Sequence, residues 1–301
     1  MGVVKWIGGF SGATTDVNQT GNYNTSALPI AGDDLYVEGP TGPTFSMAVN
    51  LAALVAIKLN SLNISQTYTG QIGTPAAYLQ IGATTANIGY QYGGAATSQG
   101  SQMLRWDAGS NQTMVNITNT AASSALTNSG PLCILASHSA NTLNVVSGII
   151  TIAVNPGETT NFQTINNAGG KLYMGSGLTH GTLNLSGGAT SVRAAVTSLN
   201  SFGGALTTSG TGAITTLNIY SGTASLNSTG TITNLKVFAG TADFSGDLQA
   251  KTVINCTTFS AAATVNINTG VKNSVTITNG VTSQGAQGKV ITVPGNTISV
   301  S

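Results

Sequence analysis

Charge is what this chain has least of: only 6% of its 301 residues are Asp, Glu, Lys or Arg, against roughly 25% in ordinary soluble domains. Nine Lys and Arg face eight Asp and Glu, a net charge of +1, so no basic field exists to draw nucleic acid or anionic lipid. Neither partner is expected. The strong helix formers Glu, Lys, Arg and Gln are scarce, which disfavours helices. The two cysteines, Cys133 and Cys256, are 123 positions apart, which fits neither a disulfide framework nor a metal site; both are expected as reduced, buried thiols. The two histidines, His138 and His180, have no neighbouring Ser/Asp or Cys arrangement of nucleophile or zinc spacing. Met47 to Leu59 is the most apolar stretch, but it is too short to span a bilayer and carries Asn50 and Lys58. The opening Met1-Gly2-Val3-Val4-Lys5-Trp6 lacks the apolar core and cleavage site of a secretory signal and is expected to be mature sequence.

What is abundant points to strands. Thr, Val and Ile suit strands, while Asn, Ser and 39 glycines suit tight turns. Low charge with 41% hydrophobic residues is the opposite of the disordered signature. The second half then repeats. Leu199, Leu217, Leu235 and Val253 follow one another at a constant step of eighteen; Phe202, Tyr220 and Phe238, Gly204, Gly222 and Gly240, and Ile214 and Ile232 keep the same step. Alternation such as Leu217-x-Ile219, then Ala224-x-Leu226, marks short strands with one apolar side.

A rung of that length cannot hold a strand-helix-strand unit of about 30. It can hold short strands joined by bends, each coil stacked on the last at roughly 4.8 Å. The expected fold is therefore all-β: a parallel β-helix, or β-solenoid, with rungs of about 18 residues. Leu199, Leu217 and Leu235 are expected to form an internal stack, with Thr216 and Asn218 pointing outward. The hand stays open: left-handed hexapeptide helices use the same rung length, but their aliphatic-Gly pairs are missing, which favours the right-handed form. The spacing loosens upstream, with a step of sixteen from Leu183 to Leu199 and of forty from Leu143 to Leu183.

Solenoids need atypical ends. Residues 1–40, with Trp6, Gly8-Gly9, Tyr23 and Gly32-Asp33-Asp34, are expected to form a turn-rich capping unit. Residues 41–255 are expected to form the solenoid, and 256–301 a C-terminal β cap using Thr264–Ile267, Val275–Ile277 and Thr297–Val300. Phe45 to Leu62 alternates strictly and is expected as strands, with a buried helix as the alternative.

Chemistry is sparse. Sugar-cleaving β-helices need carboxylates converging on a groove. Glu158, Asp243 and Asp247 do not stack at the repeat step, and Asp243 and Asp247 near Lys251 read as a corner ion pair. Arg105-Trp106-Asp107 reads as a strand-end ion pair flanking a packed Trp, although that ring could stack on a sugar. Gly8-Gly9 and Gly169-Gly170 lack the context of a phosphate loop and read as turns. No catalytic, cofactor-binding or metal-binding residue is assigned. Phe202, Tyr220 and Phe238 either pack a corner or form an exposed stripe that docks a neighbouring subunit.

The opening Trp6-x-Gly8-Gly9, Asp16-x-Asn18-x-x-x-Asn22-Tyr23 and Leu28-Pro29-x-Ala31-Gly32-Asp33-Asp34-Leu35-Tyr36-Val37 resembles the start of structural proteins of tailed bacteriophages. Thr67–Gly73, Thr216–Gly222 and Thr241–Asp247 look like the same group, which is similar to β-helical head decoration (cement) proteins. That resemblance implies a homotrimer on the outer capsid surface of the virion, with the major capsid protein as partner. It places the candidate anchor at Trp6, Phe10, Tyr23 and Leu28 and carries over no catalytic residue. The expected function is capsid decoration and shell stabilisation. The alternative is a tail-fibre or adhesin-type protein binding host surface glycans, and a polysaccharide-degrading enzyme ranks third.

Overall fold

The computed structural model describes residues 2–38, 46–65, 68, 70–74, 76–90, 103–118, 132–155, 157–246, 249–267, 275–284 and 289–292. The expected strand Thr297–Val300, and Asp247, lie outside them. The chain is a parallel β-solenoid whose strands stack into two parallel sheets. Among the described residues there is no α-helix, only a short 3-10 turn at Thr20–Asn22. The chain divides into two compact units, Met1–Gln163 and Thr164–Ser301.

In the first unit, Val3–Lys5, Asp34–Val37, Lys58–Ser65, Gly82–Tyr90, Met114–Ile117 and Thr142–Val145 stack in that order. A second sheet stacks Gln71–Ile72, Met103–Asp107, Leu132–Leu135 and Ile149–Ile152. The segment expected only as a cap thus also supplies two rungs, Val3–Lys5 and Asp34–Val37. The cap covers the outer edge of Val3–Lys5, where the Asn24 backbone N–H donates to the Lys5 carbonyl at 3.0 Å and the Lys5 N–H to Asn24 Oδ1 at 2.6 Å. An edge covered this way cannot recruit a stray strand.

The stretch from Met47 to Leu59 departs from the expected strands. Turns occupy 51–56, and the strand begins only at Lys58. Asn50 takes φ +54°, a left-handed conformation that an extended strand cannot contain, and its amide donates to Asp16 Oδ2 at 2.9 Å. The buried residues are consequently Met47, Leu51, Leu54 and Leu59, while Val49 and Val55 are exposed.

In the second unit the repeat register holds through Leu183↔Leu199↔Leu217↔Leu235, all fully buried, the first step being the expected shorter one. Inward leucines separated by one rung lie against each other, so the repeat is the column itself. Gly204 and Gly222 take φ of 75° and 76°, and a Cβ on Gly204 would lie 2.7 Å from the Gly188 carbonyl oxygen. Glycine recurs at this corner because successive turns approach too closely for a side chain.

The final anchor is corrected by the structure. Val253 pairs with Ile232, and the successor of Leu235 is Cys256, three positions beyond the one the repeat step selects. The extra length is taken up in the turn before Lys251–Thr258, so strand register survives. Beyond it the stacking continues: Thr264–Ile267 pairs in parallel with Thr241–Asp243, and Val275–Ile277 and Val281–Ser283 both pair with Lys251–Thr258.

Candidate interaction surfaces and an outer groove

Among the N-terminal residues that carried the phage resemblance, Asn22, Asp33 and Asp34 wire the cap internally. Asn22 Nδ2 donates to the carbonyls of Ala13 and Asp16 at 2.8 and 2.9 Å, and its Oδ1 accepts the Phe10 N–H at 2.9 Å. Asp33 accepts the Gly2 N–H at 2.8 Å, and Asp34 accepts Asn60 Nδ2 at 2.8 Å and Ser61 Oγ at 2.5 Å. Those last bonds, Ser61 first, hold the Asp34 carboxyl below its usual range.

Of the four candidate anchors, Trp6 and Tyr23 are core. Their rings meet edge to face at 5.3 Å, and the Tyr23 hydroxyl donates to the Val17 carbonyl at 2.7 Å. Burial, with Asp16 nearby, pushes that hydroxyl's pKa up. Leu28 is half-buried. Phe10 is 44% exposed and lies over Gly21, where a Cβ would come within 2.1 Å of the ring. Sequence reasoning missed its company: Val3, Ile7, Ile30, Val49 and Val55 are exposed too. The available signal was apolar residues set among turn formers, as at Ile7-Gly8-Gly9 and Pro29-Ile30-Ala31-Gly32.

In the second unit Phe202, Tyr220 and Phe238 stack as expected, and Phe259 extends the row. Centroids are 4.6, 4.5 and 4.4 Å apart, with planes within 11° of parallel. Each pair of facing rings therefore covers one another's faces, with Phe202 and Phe259 ending the row. Phe202 is 48% exposed.

A second row, expected only as outward-facing polar residues, is bonded from rung to rung. Asparagines one rung apart bond amide to amide, Nδ2 donating to Oδ1, in two ladders of four residues and one of three. One joins Asn63, Asn87, Asn116 and Asn144 at 2.8, 3.1 and 2.9 Å. The other joins Asn166, Asn184, Asn200 and Asn218 at 2.8, 2.9 and 2.8 Å. Lys236 stands at the next rung, and a further ladder joins Asn234, Asn255 and Asn279. The recurring aliphatic-Asn-aliphatic triplet, as in Leu62-Asn63-Ile64 and Leu217-Asn218-Ile219, was the signal.

The first unit also carries a groove on the outer face of its second sheet. Trp106 is buried as expected, its Nε1 donating to the Ile81 carbonyl at 2.8 Å. The expected Arg105–Asp107 ion pair is absent. Asp107 Oδ1 accepts the Gly109 N–H at 2.8 Å, while Arg105, 4% exposed, reaches Tyr78 Oη at 3.5 Å and Cys133 Sγ at 3.3 Å. Its guanidinium lies 5.8 Å from the Tyr78 ring centroid. The Tyr78 hydroxyl donates to Glu158, which also accepts Asn155 Nδ2 at 2.7 Å. Burial pushes the Tyr78 and Cys133 pKa values up, so both groups stay protonated. A cavity of about 570 Å³ lined by Asn50, Thr74, Tyr78, Gln80 and Asp107 adjoins one of about 520 Å³ lined by Ser137, Glu158 and Thr159; Asp107 and Leu135 line both. Glu158 and Asp107, far apart in sequence, thus share one groove.

Elsewhere the polar residues are structural. Asp243 accepts Ser245 Oγ at 2.6 Å and Asn266 Nδ2 at 2.9 Å, while Lys251 Nζ donates to the Gln249 carbonyl at 2.9 Å. His138 Nδ1 accepts the Ala140 N–H at 3.1 Å. Among the described residues no cluster of three or more His, Cys, Asp or Glu could hold a metal ion, and no helix is long and apolar enough to cross a membrane. The fold therefore defines the chain as a parallel β-solenoid. No protein family matches the chain, and no characterised protein or solved structure matches it either.

Proposed function

We propose that the protein is a bacteriophage capsid decoration (cement) protein. It would bind the outer surface of the shell through its N-terminal segment, with the major capsid protein as partner, and stabilise the shell as a homotrimer. The observation that carries this reading is the crowding of exposed apolar side chains into the N-terminal segment, residues 1–56. Of nine large apolar side chains exposed among the described residues, Val3, Ile7, Phe10, Ile30, Val49 and Val55 lie there, against Met114, Val146 and Phe202 elsewhere. Contiguous exposed apolar surface marks protein contacts, and these six side chains would form such a surface. The Phe202 to Phe259 row offers apolar edges for packing subunits together. With 6% charged residues, docking depends on shape and burial, and salt screens little of it.

The test is co-sedimentation of the purified protein with shells that lack it, at low salt and at ~1 M salt, where exposed charge pairs are screened. Expected is saturable binding retained at high salt, with the decorated shell more resistant to heat. Failure to bind at either salt counts against decoration.

A further inference from the structure

We infer that the groove beside Tyr78 is a binding site for a neutral oligosaccharide. Among the described residues no Lys, Arg or His lines either cavity, whereas Asp107 and Glu158 do, so phosphates, nucleic acid and acidic peptides are repelled. An aliphatic or aromatic ligand would strand the polar groups of the wall, which is costly. Gln80 and Thr159 make no side-chain hydrogen bond among the described residues, and Asp107 uses only Oδ1. The walls thus hold unpaired donors and acceptors next to apolar patches at Leu51 and Leu135 and the Tyr78 ring. A chain of sugars, with hydroxyls at its edges and C–H groups on its faces, presents the matching alternation. The two adjoining cavities are in the size range of small-molecule sites, roughly 300–1,000 Å³.

The Tyr78 ring is held in place before any ligand arrives. Its hydroxyl is fixed by Glu158 and the Arg105 guanidinium stands 5.8 Å from its centroid, so little side-chain freedom is lost on binding. Arg105 and Glu158 act here as positioning residues. Tyr78, Gln80 and Asp107 contact the ligand. This site stands independently of capsid docking and either can fail alone.

The test is titration calorimetry of the intact protein with three probes: cellohexaose, maltohexaose and the hexamer of N-acetylglucosamine. Expected is saturable binding of at least one, with a dissociation constant in the ~0.01–1 mM range. Tyr78→Ala, Gln80→Ala and Asp107→Asn should each weaken it tenfold or more. The near-isosteric Asp107→Asn keeps the test valid if Tyr78→Ala fails to fold. No saturable heat from any probe up to ~10 mM overturns the inference, as does full affinity in a folded Asp107→Asn. Stabilisation by ~1 mM calcium and by none of the sugars also overturns it, because that marks a cation site.

Discussion

At the scale of single residues, His180 departs most from its surroundings. It pairs across the sheet with Val196 and through it with Ile214 and Ile232, all buried, and neither ring nitrogen has a hydrogen-bond partner. Burial lowers its pKa from 6.5 to about 4. The folded value lies below the unfolded one, so as pH falls the unfolded chain takes up the proton first. The contribution of His180 is therefore level above about pH 6.5, declines between about 6.5 and 4, and levels again below, a loss of about 3 kcal/mol. His180→Val, which matches its neighbours, should flatten that slope in urea unfolding at pH 7 and pH 4.5; an unchanged slope assigns it to other groups. The two thiols make a second case. Burial pushes Cys256 up to about 12 and Cys133 up as well, so neither should be alkylated at pH 8 until the protein unfolds. Mass spectrometry of alkylated native protein checks this.

The sequence made such residues only partly legible. That both cysteines are buried followed from their spacing and apolar neighbours. That Cys256 takes a leucine's place in the column did not, because the repeat step pointed to Val253. A three-residue insertion at a corner leaves hydrophobic alternation intact on both sides and so hides the shift. Asn50 hid a turn within the alternating run Met47 to Leu59, because periodicity does not register one left-handed residue. The groove lay beyond sequence reasoning altogether. Tyr78, Asp107 and Glu158 are separated by whole rungs, and only coiling of the chain brings them together.

At the scale of elements, two side-chain rows tie rung to rung. Asn200 makes two ladder bonds, donating to Asn184 and accepting from Asn218. Asn200→Ala should cost about 1–2 kcal/mol, since net hydrogen bonds are modest and the broken partners stay half-buried. Asn200→Asp should cost more at pH 7 and recover part of the loss below about pH 4, where the carboxyl regains a donor. Denaturant melts of both variants, at both pH values, decide this. Tyr220 is stacked on both faces and Phe202 on one. Each ring contact contributes about 0.5–1.5 kcal/mol beyond burial, so Tyr220→Ala should destabilise more than Phe202→Ala. Equal losses would mean that the stack adds nothing beyond the corner it packs. The aromatic row was readable from the repeat step. The asparagine row, which recurs more often, read as ordinary outward polarity because strand pattern shows which face a residue occupies but not whom it bonds.

At the scale of the whole molecule, the proposed docking rests on the exposed apolar side chains of the N-terminal segment. Phe10→Asp and Ile30→Asp alter exposed positions, at 44% and 65% exposure, so folding should be little affected while docking is lost. Phe202→Asp, in the other unit, should leave shell binding by a single chain intact and weaken self-association, which sedimentation equilibrium reads directly. The most direct measurement is co-sedimentation of wild type and these three variants with undecorated shells at ~1 M salt. Expected is binding by wild type and Phe202→Asp, with none by Phe10→Asp or Ile30→Asp. Undiminished binding by a folded Phe10→Asp and Ile30→Asp would place the contact elsewhere on the chain and contradict docking through the N-terminal segment.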